Sequence, residues 1–215
     1  LPRCRLARSG WWVGTYRGGL NRIDEKRKSI IWYMHDPANP NSISNNHVRS
    51  LAEDKFGNLW VGTYAGGLNK FDGQSGKYTR FLHNLSDSTS IGGNQIQKIY
   101  IDSNLIMWIA VFGGGLNVLD LKNMHSTKPY FKKYKFDDSN SMSISDDRVY
   151  TLYEDRQNSL WIGTFGGGLN KFDKESKTFK RYRNNAKNPS SLQNDKVLCL
   201  YEDYSGNFWV GTSGS

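Results

Sequence analysis

One string recurs along the chain, and its spacing limits the folds open to it. Trp12, Trp60, Trp108, Trp161 and Trp209 open the segments WVGTYRGGLNRID, WVGTYAGGLNKFD, WIAVFGGGLNVLD, WIGTFGGGLNKFD and WVGT. The tryptophans stand 48, 48, 53 and 48 residues apart, and the extra residues fall between Asp120 and Tyr134, where LKNMHSTKPYFKK replaces a shorter turn. Self-similarity at a fixed period of this length marks architectures in which each unit buries its apolar surface only against the next.

Each unit divides into four strand-like runs. The first reads HVRSLAED, QIQKIYID, RVYTLYED or KVLCLYED, alternating apolar residues and ending on Asp54, Asp102, Asp155 and Asp203. A turn such as KFGN leads to LWVGT, a glycine turn to GLNKFD, and a further turn to YTRFLH; a polar linker such as NNAKNPSSLQND then reaches the next unit. The apolar period is two, which excludes a helical solenoid. Aromatics at 13% and 22 glycines suit short pleated strands and tight turns. The expected fold is therefore all-β, a β-propeller of four-stranded antiparallel blades. The expected division of residues 1–215 is a single propeller region, with a partial blade at 11–45, blades at 46–93, 94–145 and 146–193, and a partial blade at 194–215. Residues 1–10, LPRCRLARSG, lack the apolar run and acidic end of the other first strands. The chain is thus expected to open and close at second strands, as a segment of a larger ring with open blade edges that invite a homodimer. Closure at four blades, with the last first strand completing the first blade, is the alternative.

The net charge of +9 raises the question of nucleic acid. The basic residues recur once per unit in outer-strand segments, KYTR, KKYK and FKRYR, so a ring spreads them into a solvated rim rather than a binding stripe. No apolar run approaches the roughly 20 residues that span a bilayer, so no membrane contact is expected. Cys4 and Cys199 form neither metal-ligand spacing nor a disulfide framework, and His35, His47, His83 and His125 lie far apart. No Gly-x-Ser-x-Gly, HExxH or Cys-His arrangement is present, so no catalytic, metal or cofactor site is predicted. Gly66-Gly67 leads into a strand rather than a helix, which removes the dipole a phosphate cradle needs and leaves a hairpin turn at positive φ. The repeated acids are read as acceptors for turn N–H groups, because an active site is needed once and calcium prefers about 6–8 oxygen ligands.

Positions that differ between units are better candidates for recognition than constant ones. Two sets are expected on one face: the loop carrying Tyr16-Arg17, Tyr64-Ala65, Phe112-Gly113 and Phe165-Gly166, and the entry to the first strand, Asn46-His47, Asn94-Gln95, Asp147-Arg148 and Asp195-Lys196. Aromatic rings beside polar side chains suit stacking on sugars. The candidate ligand-binding residues are Tyr16, Arg17, Tyr64, Phe112, Phe165, His47, Gln95, Arg148 and Lys196. The alternative is that these aromatics pack between blades and the polar residues are merely solvated.

The unit DxxGNLWVGTxxGGLNKFD, with its NPNSISNNHV linker, resembles the two-component regulator propeller repeat, from Trp12 to Thr212. That resemblance implies large, often seven-bladed propellers serving as periplasmic sensors of hybrid histidine kinases, commonly in Bacteroidetes and often answering to glycans. It implies a non-catalytic module with an oligosaccharide ligand and the other domains of a sensor kinase as partners. The chain carries no kinase histidine motif, response-regulator domain or Ig-like domain of its own. A propeller lyase or hydrolase using His47, Asp147 and Arg148, or a protein-interaction scaffold, are the competing readings.

Overall fold

A computed structural model describes residues 3–6, 10–24, 27–124 and 128–214, with positions 3–6 and 10 described by backbone alone. His125 and the side chain of Cys4 lie outside the described residues.

The strands, in chain order, are β1 (Arg3–Leu6), β2 (Gly10–Gly14), β3 (Leu20–Asp24), β4 (Ser29–Tyr33), β5 (Val48–Glu53), β6 (Leu59–Thr63), β7 (Leu68–Phe71), β8 (Tyr78–Phe81), β9 (Ile96–Ile101), β10 (Ile106–Val111), β11 (Gly115–Asp120), β12 (Lys132–Tyr134), β13 (Val149–Glu154), β14 (Leu160–Thr164), β15 (Leu169–Phe172), β16 (Phe179–Tyr182), β17 (Val197–Glu202) and β18 (Phe208–Thr212). They form antiparallel sheets β1–β4, β5–β8, β9–β12 and β13–β16, each in sequential order, and a two-stranded sheet β17–β18. Consecutive first strands are spatial neighbours, β1 beside β5, β5 beside β9, β9 beside β13 and β13 beside β17. This is radial stacking of propeller blades.

One expectation needs correction. The chain does not open at a second strand: Arg3–Leu6 pairs antiparallel with β2, with Cys4 opposite Trp12, and completes the first sheet. A ladder uses backbone groups that every residue carries, so RCRL pairs without the apolar pattern of its counterparts.

Between successive four-stranded sheets lies an apolar layer. Trp12 and Leu20 meet Val48, Leu59, Val61 and Phe71 of the second blade. Trp60 and Leu68 meet Ile96, Ile99, Met107 and Ile109 of the third, and Trp108 and Leu116 meet Val149, Leu160 and Ile162 of the fourth. The long segment before β12 joins one of these layers: a turn of 3-10 helix at Leu121–Asn123 buries Leu121, and Phe131 is buried beside it. Trp209, in the two-stranded sheet, is 59% exposed, whereas Trp60 is fully buried.

The acids at the strand ends act as the turn reading expects, and do more. Asp54 Oδ1 accepts from the Phe56 and Asn58 backbone N–H groups, and its Oδ2 accepts from Trp60 Nε1 at 2.9 Å. The indole bond recurs at Asp102–Trp108, Asp155–Trp161 and Asp203–Trp209, at 3.0, 2.7 and 2.8 Å. Each carboxylate therefore closes its own turn and satisfies the indole N–H of its tryptophan, which in the first three cases is packed between blades.

Two further devices fix the blades. Gly67, at φ +66°, donates its N–H to Asn94 O of the next unit, and a Cβ there would stand 2.4 Å from Phe81 O. Gly19, Gly115 and Gly168 make the same bond to Asn46, Asp147 and Asp195. The outer-strand cations are more than a solvated rim: Arg80 donates to Ser42 O and Asn39 O, Arg181 to Ser143 O and Asn140 O, and Lys133 to Ser90 O. In each of these three blades one basic side chain ties down carbonyls of the preceding linker.

Candidate functional site

The two sets of drifting positions meet at the same end of the blades. Within a blade, Tyr64 N donates to His47 O, Phe112 N to Gln95 O, Phe165 N to Arg148 O and Ser213 N to Lys196 O. Between blades, Val48 N donates to Thr15 O, and Phe112 is bridged to Arg148 and Phe165 to Lys196. The backbone thus sets each drifting aromatic against the drifting polar residue that opens a first strand.

The side chains gather in two groups. His47 lies edge-on to Tyr16 at 4.3 Å and stacks on Tyr64 at 4.9 Å, with Arg17 5.4 Å from the Tyr16 ring. Tyr16 and Tyr64 are 61% and 42% exposed, so they line a surface rather than an interblade layer. In the second group Phe165 touches Phe112 and Tyr150, both at 5.7 Å, and Lys196 Nζ stands 5.6 Å from its centroid. Gln95 is half-buried at the entry to β9, and Arg148 is exposed and paired with Asp146 at 2.5 Å. Burial first, then the charges of Arg49 and Arg17, hold His47 below its usual imidazole range. Burial pushes Asp146 up, but hydrogen bonds from Arg148 outweigh it and its carboxyl lies below the usual range.

The sequence reading missed the floor of this mouth. In every first strand from β5 onward the pairing register slips by one residue near the start, leaving Arg49, Gln97, Tyr150 and Leu198 opposite no partner. A β-bulge of this kind re-aims a side chain away from the alternating pattern. All four bulged residues line one cleft of about 440 Å³ along the first strands, with Lys98 and the exposed thiol of Cys199. The cleft continues into both aromatic groups, because Arg49 Cζ lies 5.3 Å from the Tyr64 ring and Tyr150 packs on Phe165. A signal was present in the third place of the four aligned first runs, which reads Arg, Gln, Tyr and Leu.

The three residues of the lyase or hydrolase reading each have a partner of their own. Asp147 Oδ1 accepts from Phe136 N, Arg148 is paired with Asp146, and His47 is held between tyrosines. No group of three His, Cys, Asp or Glu side chains is placed to hold a metal among the described residues, and no described helix is long and apolar enough to cross a membrane.

Blades of four antiparallel strands, stacked through tryptophan layers and carrying a variable mouth, define a β-propeller segment of repeat type. Three stretches of the repeat, residues 42–65, 143–166 and 191–214, match the family model described as two component regulator propeller. Each match runs from linker through first and second strands, so it covers the bulge and the drifting entry residue. No curated protein matches the chain in sequence. Among solved structures, the chain is similar to the extracellular domain of the putative hybrid two component system BT4673 from B. thetaiotaomicron, with a TM-score of 0.75, 23% identity, and coverage of 99% of this chain and 28% of that one. The extracellular domain of the putative hybrid two component system BT3049 from the same organism gives 0.65 and 22%, over 97% and 31% of the two chains. Virginiamycin B lyase from Staphylococcus aureus gives 0.65 and 14%, over 97% and 61%. These likenesses establish the propeller fold, and the chain spans about three tenths of the length of the two sensor domains.

Proposed function

We propose that the chain is a non-catalytic, ligand-sensing part of the extracytoplasmic sensor of a two-component signalling system, and that it takes an oligosaccharide at the mouth of the axial cleft. One observation supports this reading: drifting aromatic and polar residues form two groups beside one cleft, while the constant positions serve packing, turns and linker bonds. Exposed tyrosine rings beside a polar cleft suit sugar faces, which present C–H groups to a ring and hydroxyls to its neighbours. Similarity to sensor domains, as described for those proteins, supports the two-component role and a place outside the cytoplasm. The signal passes to a histidine kinase domain outside this sequence, and only a ligand with different affinities for two arrangements of the sensor drives such a switch.

The test is calorimetric titration of the chain with a panel of plant and host oligosaccharides. At least one member binds, and Tyr64→Ala weakens it by on the order of tenfold, the effect of losing one stacking ring. Absence of binding across the panel, or binding indifferent to Tyr64→Ala and Tyr16→Ala together, overturns the reading.

The same reading includes self-association through the sheets at the ends of the array. Trp209, Tyr201 and Tyr204 on one side and Ile30 and Trp32 on the other are exposed. They supply apolar surface of the kind that pairs two copies.

A further inference from the structure

The cleft also bears on which oligosaccharides fit, and this step rests on the sugar-binding reading above. Its charge is one-sided: Arg49 and Lys98 line it together with the uncharged Gln97, Tyr150 and Leu198, and no described carboxylate lines it. Five other arginines have acceptors. Arg148, Arg156 and Arg183 pair with Asp146, Glu202 and Asp195, and Arg80 and Arg181 hold linker carbonyls. Arg49 differs. Its guanidinium packs on the Tyr64 ring, and its Nε is shielded from solvent with no acceptor among the described residues.

A buried N–H without an acceptor is costly, and a guanidinium fork matches the two oxygens of a carboxylate or sulfate. The bulge at Arg49 adds direction, since it turns this side chain out of the strand's alternation and toward the cleft. We infer that the axial cleft seats an anionic group of the ligand, the carboxylate or sulfate of an acidic oligosaccharide, on the Arg49 guanidinium, with Lys98 adding its charge and Tyr64 carrying the adjoining sugar face. The depressed titration of His47, caused by burial and then by Arg49 and Arg17, is consistent with an uncompensated positive field at this mouth. Gln97 and Tyr150, the neighbouring bulged residues, are neutral hydrogen-bonding groups suited to hydroxyls flanking the anion.

The experiment compares matched pairs on the full chain by calorimetry: an oligogalacturonide against its methyl ester, for carboxylate, and a heparin-derived oligosaccharide against its desulfated form, for sulfate. The acidic member of at least one pair binds tighter than its neutral partner, by on the order of tenfold to a hundredfold as expected for a charge-assisted contact. Arg49→Met abolishes that difference and Lys98→Gln reduces it, while Arg49→Lys keeps part of it. Circular dichroism of each variant checks the fold, and in a Cys4→Ser background the acidic ligand slows alkylation of Cys199, which lines the same cleft. Equal binding of acidic and neutral partners, or discrimination that survives Arg49→Met in a folded protein, overturns the anion seat but leaves the sugar-binding reading standing. Binding of neutral oligosaccharides alone does the same, and no binding by any sugar overturns both.

Discussion

Single side chains in this protein do paired jobs, and their removal separates the jobs. The strand-end aspartates close a turn and accept an indole N–H, so Asp54→Ala strands Trp60 Nε1 in a buried layer and costs about 2 kcal/mol by chemical denaturation. Asp203→Ala makes the same deletion beneath the exposed Trp209 and costs less, because water replaces the lost acceptor. Asp203 also has a pH signature. Hydrogen bonds from Trp209, then Asn207, hold its folded pKa at about 2, below the ordinary carboxylate value of 3.8. Its contribution to stability is therefore present above 3.8 and is lost as pH falls toward 2, and Asp203→Asn flattens that part of an acid-unfolding curve. A reverse case is Tyr78, whose buried hydroxyl has no hydrogen-bond partner among the described residues, in the place that Phe179 holds two blades on. Tyr78→Phe stabilises the chain by about 1 kcal/mol in thermal unfolding, since it deletes only an unsatisfied group. The acids were legible as turn acceptors because they recur before each turn. What the linear text does not carry is that the indole returns to its own turn, because that depends on a side-chain rotamer.

At the level of strands and linkers, the ladder and the pins divide the work. Arg80 binds two linker carbonyls and the Ser42 hydroxyl, so Arg80→Met lowers stability by about 1–2 kcal/mol and raises amide exchange over residues 36–42. A merely solvated cation gives no change in exchange, which is the outcome that would count against the pin. The strands themselves were legible because their apolar alternation reports packing between blades, and the glycine turns because only certain φ values close them. Two elements escaped for opposite reasons. Arg3–Leu6 joins its sheet through backbone groups that leave no side-chain pattern, while Leu121 and Phe131 lie in a segment that reads as an irregular turn but fills the core. The bulged residues escaped because alternation assigns a side by parity, and one extra residue reverses parity without altering composition.

Across the whole molecule, the proposed self-association rests on exposed rings such as Trp209. The proposal expects light scattering on an eluting column to give a mass rising with concentration, and Trp209→Ser, which removes the largest exposed ring of the two-stranded sheet, to shift the protein toward monomer. A mass independent of both concentration and Trp209 would refute association through that sheet. The propeller architecture was written in the repeat, and the drifting loop residues could be listed from it as candidates; the cleft floor beneath them was visible only once the first strands stood side by side. That floor has a consequence for how such a protein can diversify. A bulged residue belongs to no cross-strand pair, so exchanging Arg49, Gln97, Tyr150 or Leu198 for another type leaves the ladder and the tryptophan layers untouched. Each blade thus offers one interchangeable letter at the axis, and a set of blades spells a recognition word that mutation can rewrite one letter at a time without endangering the fold.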